Sequence, residues 1–357
     1  MPDGVWLLPK GLLHGEAAQR AVAAGHAASL AGGPVAFSLV EVIEGRPGAT
    51  RRRVTTLRDL ATSKDRAIGE RLGRVTGARA PMVGLPMNSG PLLMGVINVT
   101  PDSFSDGGAF LEPQAAVAHG FELARAGADI LDIGGESTRP GSKGVSLDEE
   151  LGRVLPVIEG LAGAGAALSL DTRKAKAMKA GADTGVHMLN DVSALTHDKA
   201  ALKTAAASGL PVVLMHALGD PATMQDDPRY ADVLLEIHDY LEARIAVCET
   251  AGIGRERLIA DPGIGFGKTG AHNLTLIANV TLFHGLGVPL LLGASRKRFI
   301  GTLTGEAQAR RRLGGSIGAM LAGAAQGVQI HRVHDVREAR EALTLWEACA
   351  AGASDLV

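Results

Sequence analysis

Carboxylate and amide side chains recur at the ends of short apolar stretches in the later part of the sequence. Asp171 and Asp261 each end one such stretch, and Asn190 lies near the end of another. Carboxylate oxygens accept hydrogen bonds, whereas an amide both accepts and donates them. This combination suits a flat heterocycle whose edge carries N–H and amino groups.

Basic side chains stand at the ends of other apolar stretches. Arg332 and His334 share parity within one stretch, so both should face the same side of a strand, while His331 should face the helix layer. Guanidinium, imidazolium and ammonium groups bind phosphate or pyrophosphate well. We therefore predict a polar ring bound below an anion, and the cations available for that anion are Lys297, Arg332, His334 and Arg139.

One polar residue at the end of a strand usually caps the next helix, and Asp191 and Asp335 are candidates for that role. Six or more polar strand ends are harder to explain as caps. If the strands converge on one mouth, unpaired carboxylates there are costly unless a ligand or a cation meets them. The pattern therefore favours a binding site.

Eight apolar runs alternate with helix-like segments and would position these side chains. Such runs are typical of buried parallel strands, and eight strand–helix units predict a (β/α)8 barrel with chemistry at the carboxyl ends of its strands. An open doubly wound sheet is the alternative, but the first run lacks its glycine-rich phosphate turn. The runs are residues 92–99, 130–134, 167–171, 186–191, 211–216, 258–261, 289–295 and 328–334, and helix-like segments include 113–126, 147–161 and 230–251.

The first 90 residues show no strand–helix repeat. We predict a strand at 35–42 paired with 51–54, a helix at 61–75 capped by Thr62 or Ser63, and a linker at 76–91. A small α+β unit and a mainly extended arm are both compatible with this pattern. We expect a division into an extension, residues 1–90, and a barrel, residues 91–357.

Bulk composition excludes several classes of protein. The 357 residues carry a net charge of −2, which gives no basic bias toward nucleic acid. Cys248 and Cys349 form neither a disulfide framework nor a metal-finger spacing, which fits a reduced cytoplasmic setting. We expect no signal peptide and no membrane span.

Five motifs resemble those of the dihydropteroate synthases, and the similarity extends over about residues 92–351. The long loops after the first two runs, which are flanked by glycine and look like lids, lie in the first two motifs. The motifs are MGVINVTPDSFSDGG at residues 94–108, DIGGESTRPG at 132–141, DPGIGFGK at 261–268, SRK at 295–297 and RVHDV at 332–336.

The resemblance implies a role for each matching residue. It implies condensation of a dihydropterin pyrophosphate with p-aminobenzoate, with Mg2+ as cofactor and Asn98 as a metal ligand. The implied pterin ligands are Asp171, Asn190, Asp261 and Lys297, and the pyrophosphate ligands are Asn98, Arg139, Arg332 and His334. The implied p-aminobenzoate contacts are Thr138, Pro140, Phe104, Phe266 and Lys297, with Asp102 and Asp106 as catalytic lid residues.

The resemblance also implies a homodimer through the last helices and inhibition by sulfonamides. Two other functions share the barrel: a methyltetrahydrofolate methyltransferase and a non-catalytic pterin-binding protein. The methyltransferase would need neither the two loop motifs nor the Arg332 and His334 pair. The extension lies outside the resemblance, so its role stays open.

Overall fold

The N-terminal part of the chain is a small α+β unit. The structure is a computed structural model and describes residues 4–99, 112–137, 144–219 and 224–352. The long central strand β3 pairs antiparallel with β1 along one edge and with β4 and β2 along the other. The elements are β1 (Gly4–Leu13), α1 (Gly15–Ala23), β2 (Ala28–Ser29), β3 (Ala36–Arg46), β4 (Ala49–Thr56), α2 (Leu57–Ala61) and α3 (Arg66–Thr76), with a 3-10 turn at Leu30–Gly32.

The predicted α+β alternative and its hairpin are confirmed, but the predicted single helix is wrong. Residues 61–75 contain the end of α2 and most of α3, and neither Thr62 nor Ser63 is an N-cap, since Thr62 is the C-cap residue of α2. Thr56 caps α2, and the Asp65 carboxylate caps α3 by accepting from the backbone N–H groups of Ala67 and Ile68. Strand β1 and helix α1 were not predicted.

The described residues between 92 and 351 form the predicted barrel. Eight parallel strands follow in the order β10-β9-β8-β7-β6-β5-β12-β11, and a parallel bridge between Ala260 and Leu290 joins the two ends. The closed ring rules out the open doubly wound sheet. The strands are β5 (Leu92–Asn98), β6 (Ile130–Gly134), β7 (Ala167–Asp171), β8 (Met188–Asp191), β9 (Val212–Met215), β10 (Leu258–Asp261), β11 (Leu291–Leu292) and β12 (Ile330–Val333).

Helices surround the ring and follow the predicted segments closely. Within the described residues, none is long and apolar enough to cross a membrane. The helices are α4 (Glu112–Arg125), α5 (Leu147–Gly160), α6 (Ala175–Thr184), α7 (Ala201–Ser208), α8 (Val233–Thr250), α9 (Gly270–Ala278), α10 (Arg298–Thr304), α11 (Leu313–Ala324) and α12 (Val336–Ala351), with 3-10 turns at Arg255–Arg257, Val280–Leu286 and Ala309–Arg311.

Apolar side chains fill the amino end of the barrel interior. Met94 on β5, Ile130 on β6 and Ile330 on β12 belong to one buried cluster. Met82 and Met87, from the segment predicted as a linker, are buried in the same cluster. That segment therefore closes the bottom of the barrel rather than merely joining two units. The division at residue 90 stays a prediction, because the two sides share buried contacts.

Candidate active site

Polar residues replace the apolar ones on the same inward face toward the carboxyl ends of the strands. Asp171 on β7 and Asn190 on β8 are register neighbours. From the opposite side, Arg332 on β12 donates through Nη2 to Asp171 Oδ2 at 3.0 Å. The structure therefore brings together two predicted ring ligands and one predicted anion ligand. His331 faces outward against α11, as its parity predicts, and lies near Gly323.

Asp132 on β6 links these three residues and was missing from the predicted set. Its Oδ2 accepts from Arg332 Nε at 2.6 Å and from Asn190 Nδ2 at 3.1 Å. The side chain is fully buried, and within the described residues its Oδ1 has no hydrogen-bond partner. Asp132 therefore orients both a ring-binding amide and an anion-binding guanidinium. The signal in the sequence was a carboxylate at an inward position inside an apolar strand.

Replacing Asp132 with Asn is expected to weaken binding of the pterin that the motif resemblance implies about tenfold, because a neutral amide holds Arg332 and Asn190 less firmly than a carboxylate does. Isothermal titration with a dihydropterin pyrophosphate measures the change. Glu159→Gln, at an exposed carboxylate on α5, serves as the control. Wild-type affinity in the Asp132 variant would contradict the orienting role.

Burial raises the pKa of two predicted ring ligands. Burial and the neighbouring charge of Asp132 raise the pKa of Asp171 to about 7, although Arg332 acts in the opposite direction. Burial raises the pKa of Asp261 to about 6 against the opposing effects of the Gly263 N–H and Lys297. A ligand that donates hydrogen bonds to these carboxylates would compensate the cost of their buried charge.

Arg332 keeps its positive charge despite its surroundings. Burial lowers its pKa, but the carboxylates of Asp132 and Asp171 outweigh burial and raise it. The two ion pairs use Nε and Nη2, and a guanidinium carries five N–H donors. The group can therefore hold both carboxylates and still donate to an anion. Its predicted anion-binding role stays a prediction.

Lys297 and Phe266 form the second part of the site. The Lys297 ammonium lies 4.0 Å from the centre of the Phe266 ring, a cation–π distance. Arg296, just before it, has a left-handed backbone with φ of 59°, and its guanidinium binds the Asp335 carboxylate. This fixed turn aims Lys297 at the mouth. Asp335 occupies the N-cap position of α12, as predicted, but its side chain pairs with Arg296 and makes no capping hydrogen bond.

The loop between β10 and α9 holds Phe266 in place. Asp261 Oδ1 accepts from the Gly263 N–H at 2.7 Å, and Tyr230 donates to the Gly267 carbonyl at 2.9 Å. Lys268 is 3% exposed, and its ammonium lies 2.9 Å from the Phe266 carbonyl and 3.0 Å from His216 Nδ1. Burial lowers the pKa of Lys268 to about 7 and that of His216 to about 3. A buried amine therefore ties the loop to the end of β9.

Gly263→Ala is expected to destabilise the fold by about 2 kcal/mol or more and to raise KM values. Gly263 has φ of +69°, and a Cβ there would lie 1.9 Å from the His216 carbonyl oxygen. A left-handed alanine alone costs about 1–2 kcal/mol. Thermal unfolding measures the loss of stability. Gly270→Ala is the control, because a Cβ at that position meets no atom within 4 Å. Equal melting temperatures for the two variants would refute the tight-turn explanation.

The remaining predicted residues divide into two groups. Asn98 ends β5 at the mouth beside Gly134, and His334 approaches the Ser295 hydroxyl through Nδ1 at 3.0 Å. Their anion-binding roles stay predictions. The other six lie outside the described residues: Asp102, Phe104, Asp106, Thr138, Arg139 and Pro140.

A network of buried charges ties the flanks of residues 138–143 to β7 and α5. The Lys174 ammonium contacts the carboxylates of Glu136 at 2.9 Å and Glu150 at 2.6 Å, and it donates to the Val145 carbonyl at 2.8 Å. Arg173 adds a 2.7 Å contact to Glu136. The described residues on both sides of 138–143 are therefore held in place by ion pairs and hydrogen bonds.

A cavity of about 230 Å³ opens beside Phe266. Its walls come from the loops after β7, β8 and β9, from α8 and from Phe266 itself. It is therefore continuous with the predicted site rather than separate from it. The lining residues are Arg173, Val192, Ser193, Thr196, His197, Ala217, Gly219, Met224, Tyr240 and Phe266.

Comparison with known proteins agrees with this arrangement. Residues 94–334 match the family model of the pterin binding enzymes. The dihydropteroate synthase of Escherichia coli K12 is 48% identical over 261 residues, which is 73% of this chain and 92% of the relative. The chain belongs to the dihydropteroate synthase family of pterin-binding enzymes.

Solved structures of dihydropteroate synthases share the barrel. That of Xanthomonas albilineans with 4-aminobenzoic acid superposes with a TM-score of 0.71 at 49% identity, covering 75% of this chain and 95% of the other. Another structure of the synthase from that organism, in complex with 7,8-dihydropteroate, gives a TM-score of 0.68 at 47% identity and covers 75% and 96%. The family match begins at residue 94, so the α+β unit lies outside it.

Proposed function

We propose that this member of the family is a dihydropteroate synthase, which joins 6-hydroxymethyl-7,8-dihydropterin pyrophosphate to p-aminobenzoate and releases pyrophosphate. The observation that carries the proposal is the set of polar and charged side chains at the mouth of the barrel. There Asp171 and Asn190 offer polar contacts to a ring, and Arg332, which binds Asp171, can also donate to an anion beside them. Relatives about half identical to this chain bind 4-aminobenzoic acid and 7,8-dihydropteroate.

We assign three groups of residues to the substrates, and the motifs and the inward-facing positions support the assignment. One group holds the pterin, one holds the pyrophosphate and one shapes the p-aminobenzoate site together with the two lid carboxylates. The pterin group is Asp171, Asn190, Asp261 and Lys297. The pyrophosphate group is Asn98, Arg139, Arg332 and His334. The p-aminobenzoate group is Thr138, Pro140, Phe104, Phe266 and Lys297, with the lid carboxylates Asp102 and Asp106.

The charges of the site suggest the order of bond changes. The C–O bond to pyrophosphate breaks first, and its electron pair leaves with the pyrophosphate toward Arg332 and His334. The pterin methylene cation left behind lies beside the carboxylates of Asp171 and Asp261. The neutral aniline nitrogen of p-aminobenzoate then forms the new C–N bond and loses a proton to solvent water. The sequence and the described residues give no reason to invoke a covalent enzyme intermediate.

The donor set fits the Mg2+ that the resemblance implies. Asn98 is half-buried at the mouth and offers one amide oxygen. Protein sites for Mg2+ commonly supply one or two oxygen ligands and leave the rest to phosphates and water. When bound there, Mg2+ would neutralise charge on the pyrophosphate. Asn98 would hold the ion, and Arg332 would act on the same anion from β12.

A direct assay tests the proposed function. We expect pyrophosphate release that requires the pterin substrate, p-aminobenzoate and Mg2+ together, and we expect a sulfonamide to compete with p-aminobenzoate. Methyl transfer from methyltetrahydrofolate would instead favour the methyltransferase. Pterin binding without turnover of any kind would favour the non-catalytic protein. No release from a folded preparation would refute the synthase.

We also propose a homodimer through the last two helices and a cytoplasmic location. Leu345 on α12 is 67% exposed and would be covered in such an interface. Cys248 and Cys349 are both free, as a reducing compartment requires. Sedimentation equilibrium of the wild type and Leu345→Asp would test the dimer.

A further inference from the structure

The α+β extension contacts one helix of the barrel, α8, through two neighbouring carboxylates in its middle and a third at its N-terminus. Arg71 and Arg74 on α3 both bind the Glu242 carboxylate, with N to O distances of 2.5–2.6 Å. The Trp6 indole on β1 donates to Asp239 Oδ1 at 2.8 Å. Arg52 on β4 donates to the carboxylate of Asp232, the N-cap of α8, at 2.9 Å.

The Trp6 and Arg71 contacts are better shielded from solvent than ordinary surface pairs, whereas Arg52 is 40% exposed. Trp6 is 3% exposed, and the side chains of Arg71 and Glu242 are 18% and 27% exposed. Burial alone would raise the pKa of Glu242, yet Arg71, His238 and Arg74 together lower it to about 2. His238, Asp239 and Glu242 lie close enough to hold a metal, but Trp6, Arg71 and Arg74 already occupy the two carboxylates. The cluster therefore serves attachment.

The same part of α8 supports the active-site loop through other side chains. The Tyr240 ring packs edge-on against His216 at 4.8 Å, and His216 in turn contacts the Lys268 ammonium. Tyr230, two residues before the helix cap, donates to the Gly267 carbonyl. Lys268 also donates to the carbonyl of Phe266, and the Phe266 ring contacts the Lys297 ammonium. These contacts therefore connect α8 to both residues.

We propose that the extension positions the p-aminobenzoate part of the active site by holding α8, with Arg71 and Arg74 as positioning residues. Neither guanidinium touches the site. Each acts through Glu242, α8 and the Tyr240–His216–Lys268 contacts on the loop that carries Phe266. The proposal rests on the assignment of Phe266 and Lys297 to the p-aminobenzoate site. It gives the extension a role in the reaction rather than in stability alone.

The test uses the full chain with both arginines replaced, R71M/R74M. Because the loop loses its support, we expect the KM for p-aminobenzoate to rise about three- to tenfold while kcat changes by less than about twofold. All kinetics are measured well below the melting temperature of the variant. R71K/R74K keeps the charges and should recover part of the loss.

Two controls separate positioning from general stability. R66M removes an exposed ion pair between Arg66 and Glu70, both on α3, the helix that carries Arg71 and Arg74. E249Q removes the ion pair that Glu249, on α8 like Glu242, makes with Arg255. Both should keep the wild-type KM. A folded R71M/R74M protein with wild-type KM would overturn the proposal, even if its melting temperature falls.

A second readout does not depend on turnover. Hydrogen–deuterium exchange of the peptide that covers residues 262–268 should be faster in R71M/R74M than in the wild type and unchanged in R66M. If the wild type has no synthase activity, the proposed function fails, but the exchange result still decides whether the extension controls this loop. Unchanged exchange there, with faster exchange only at the interface, would refute the coupling.

Discussion

A chain that lacks residues 1–85 is expected to lose its stable fold and its turnover. Trp6, Leu8 and Ile43 belong to the main hydrophobic cluster of the barrel, together with Leu282 and Phe283. Each buried side chain of this size contributes about 1.5–3 kcal/mol. A typical domain has only about 5–15 kcal/mol of net stability. Removing the extension would also take Met82 from the bottom of the barrel.

Far-ultraviolet circular dichroism and the pyrophosphate assay measure the outcome of this deletion. A shorter deletion, residues 1–76, keeps Met82 and Met87 and separates the loss of the bottom layer from the loss of the α8 contacts. Val54→Ser, at a 63% exposed position of the same sheet, should behave like the wild type. A truncated protein that melts cooperatively and turns over normally would show that the extension is accessory.

Asp171→Asn is expected to weaken pterin binding about 10- to 100-fold, because it removes a charge-assisted contact worth about 1.5–3 kcal/mol. The same change should stabilise the free protein at high pH. The pKa of Asp171 is about 7 in the fold, above the ordinary value of 3.8. Its protonated form therefore adds stability that is complete below about pH 4 and is lost as the pH rises through 7.

The asparagine variant carries no such charge, so it should melt above the wild type at pH 8, by an amount on the order of 2 kcal/mol. The two proteins should converge near pH 4. Asp183→Asn on α6, where the carboxylate is 64% exposed, should follow the wild type at every pH. Thermal melts from pH 4 to 8 test the predicted change in stability, and calorimetry with the pterin substrate tests the predicted loss of affinity. A variant less stable than the wild type at pH 8 would contradict the burial argument.

The sequence was most informative where one physical signal dominated. Continuous apolar runs located all eight barrel strands, because strands buried on both faces need them. Strand parity correctly placed Arg332 inward and His331 outward. In contrast, β1 was missed because Pro9 and Gly11 interrupt its pattern, although Gly11 simply adopts a φ of 60° within the strand.

Partners distant in the chain were the main source of error. Asp335 has the position of a helix cap, yet Arg296, 39 residues earlier, binds its carboxylate. Asp132 looked like one polar residue in an apolar strand, and its role depends on Arg332, 200 residues away. Parity fixes which face a side chain occupies but not which charge it meets. The roles of the six predicted residues outside the described ranges stay predictions for a different reason, since no described contact bears on them.

The ring of strands has one weak seam. Strand β11 has only two residues, and a single bridge joins the seam to β10. The extension spans the connection between these strands: Lys10 donates to Asn279, Thr281 donates to the Pro9 carbonyl, and Arg79 donates to the His284 carbonyl. Because synthesis starts at the N-terminus, the extension side of this clasp leaves the ribosome before either of the strands that it joins.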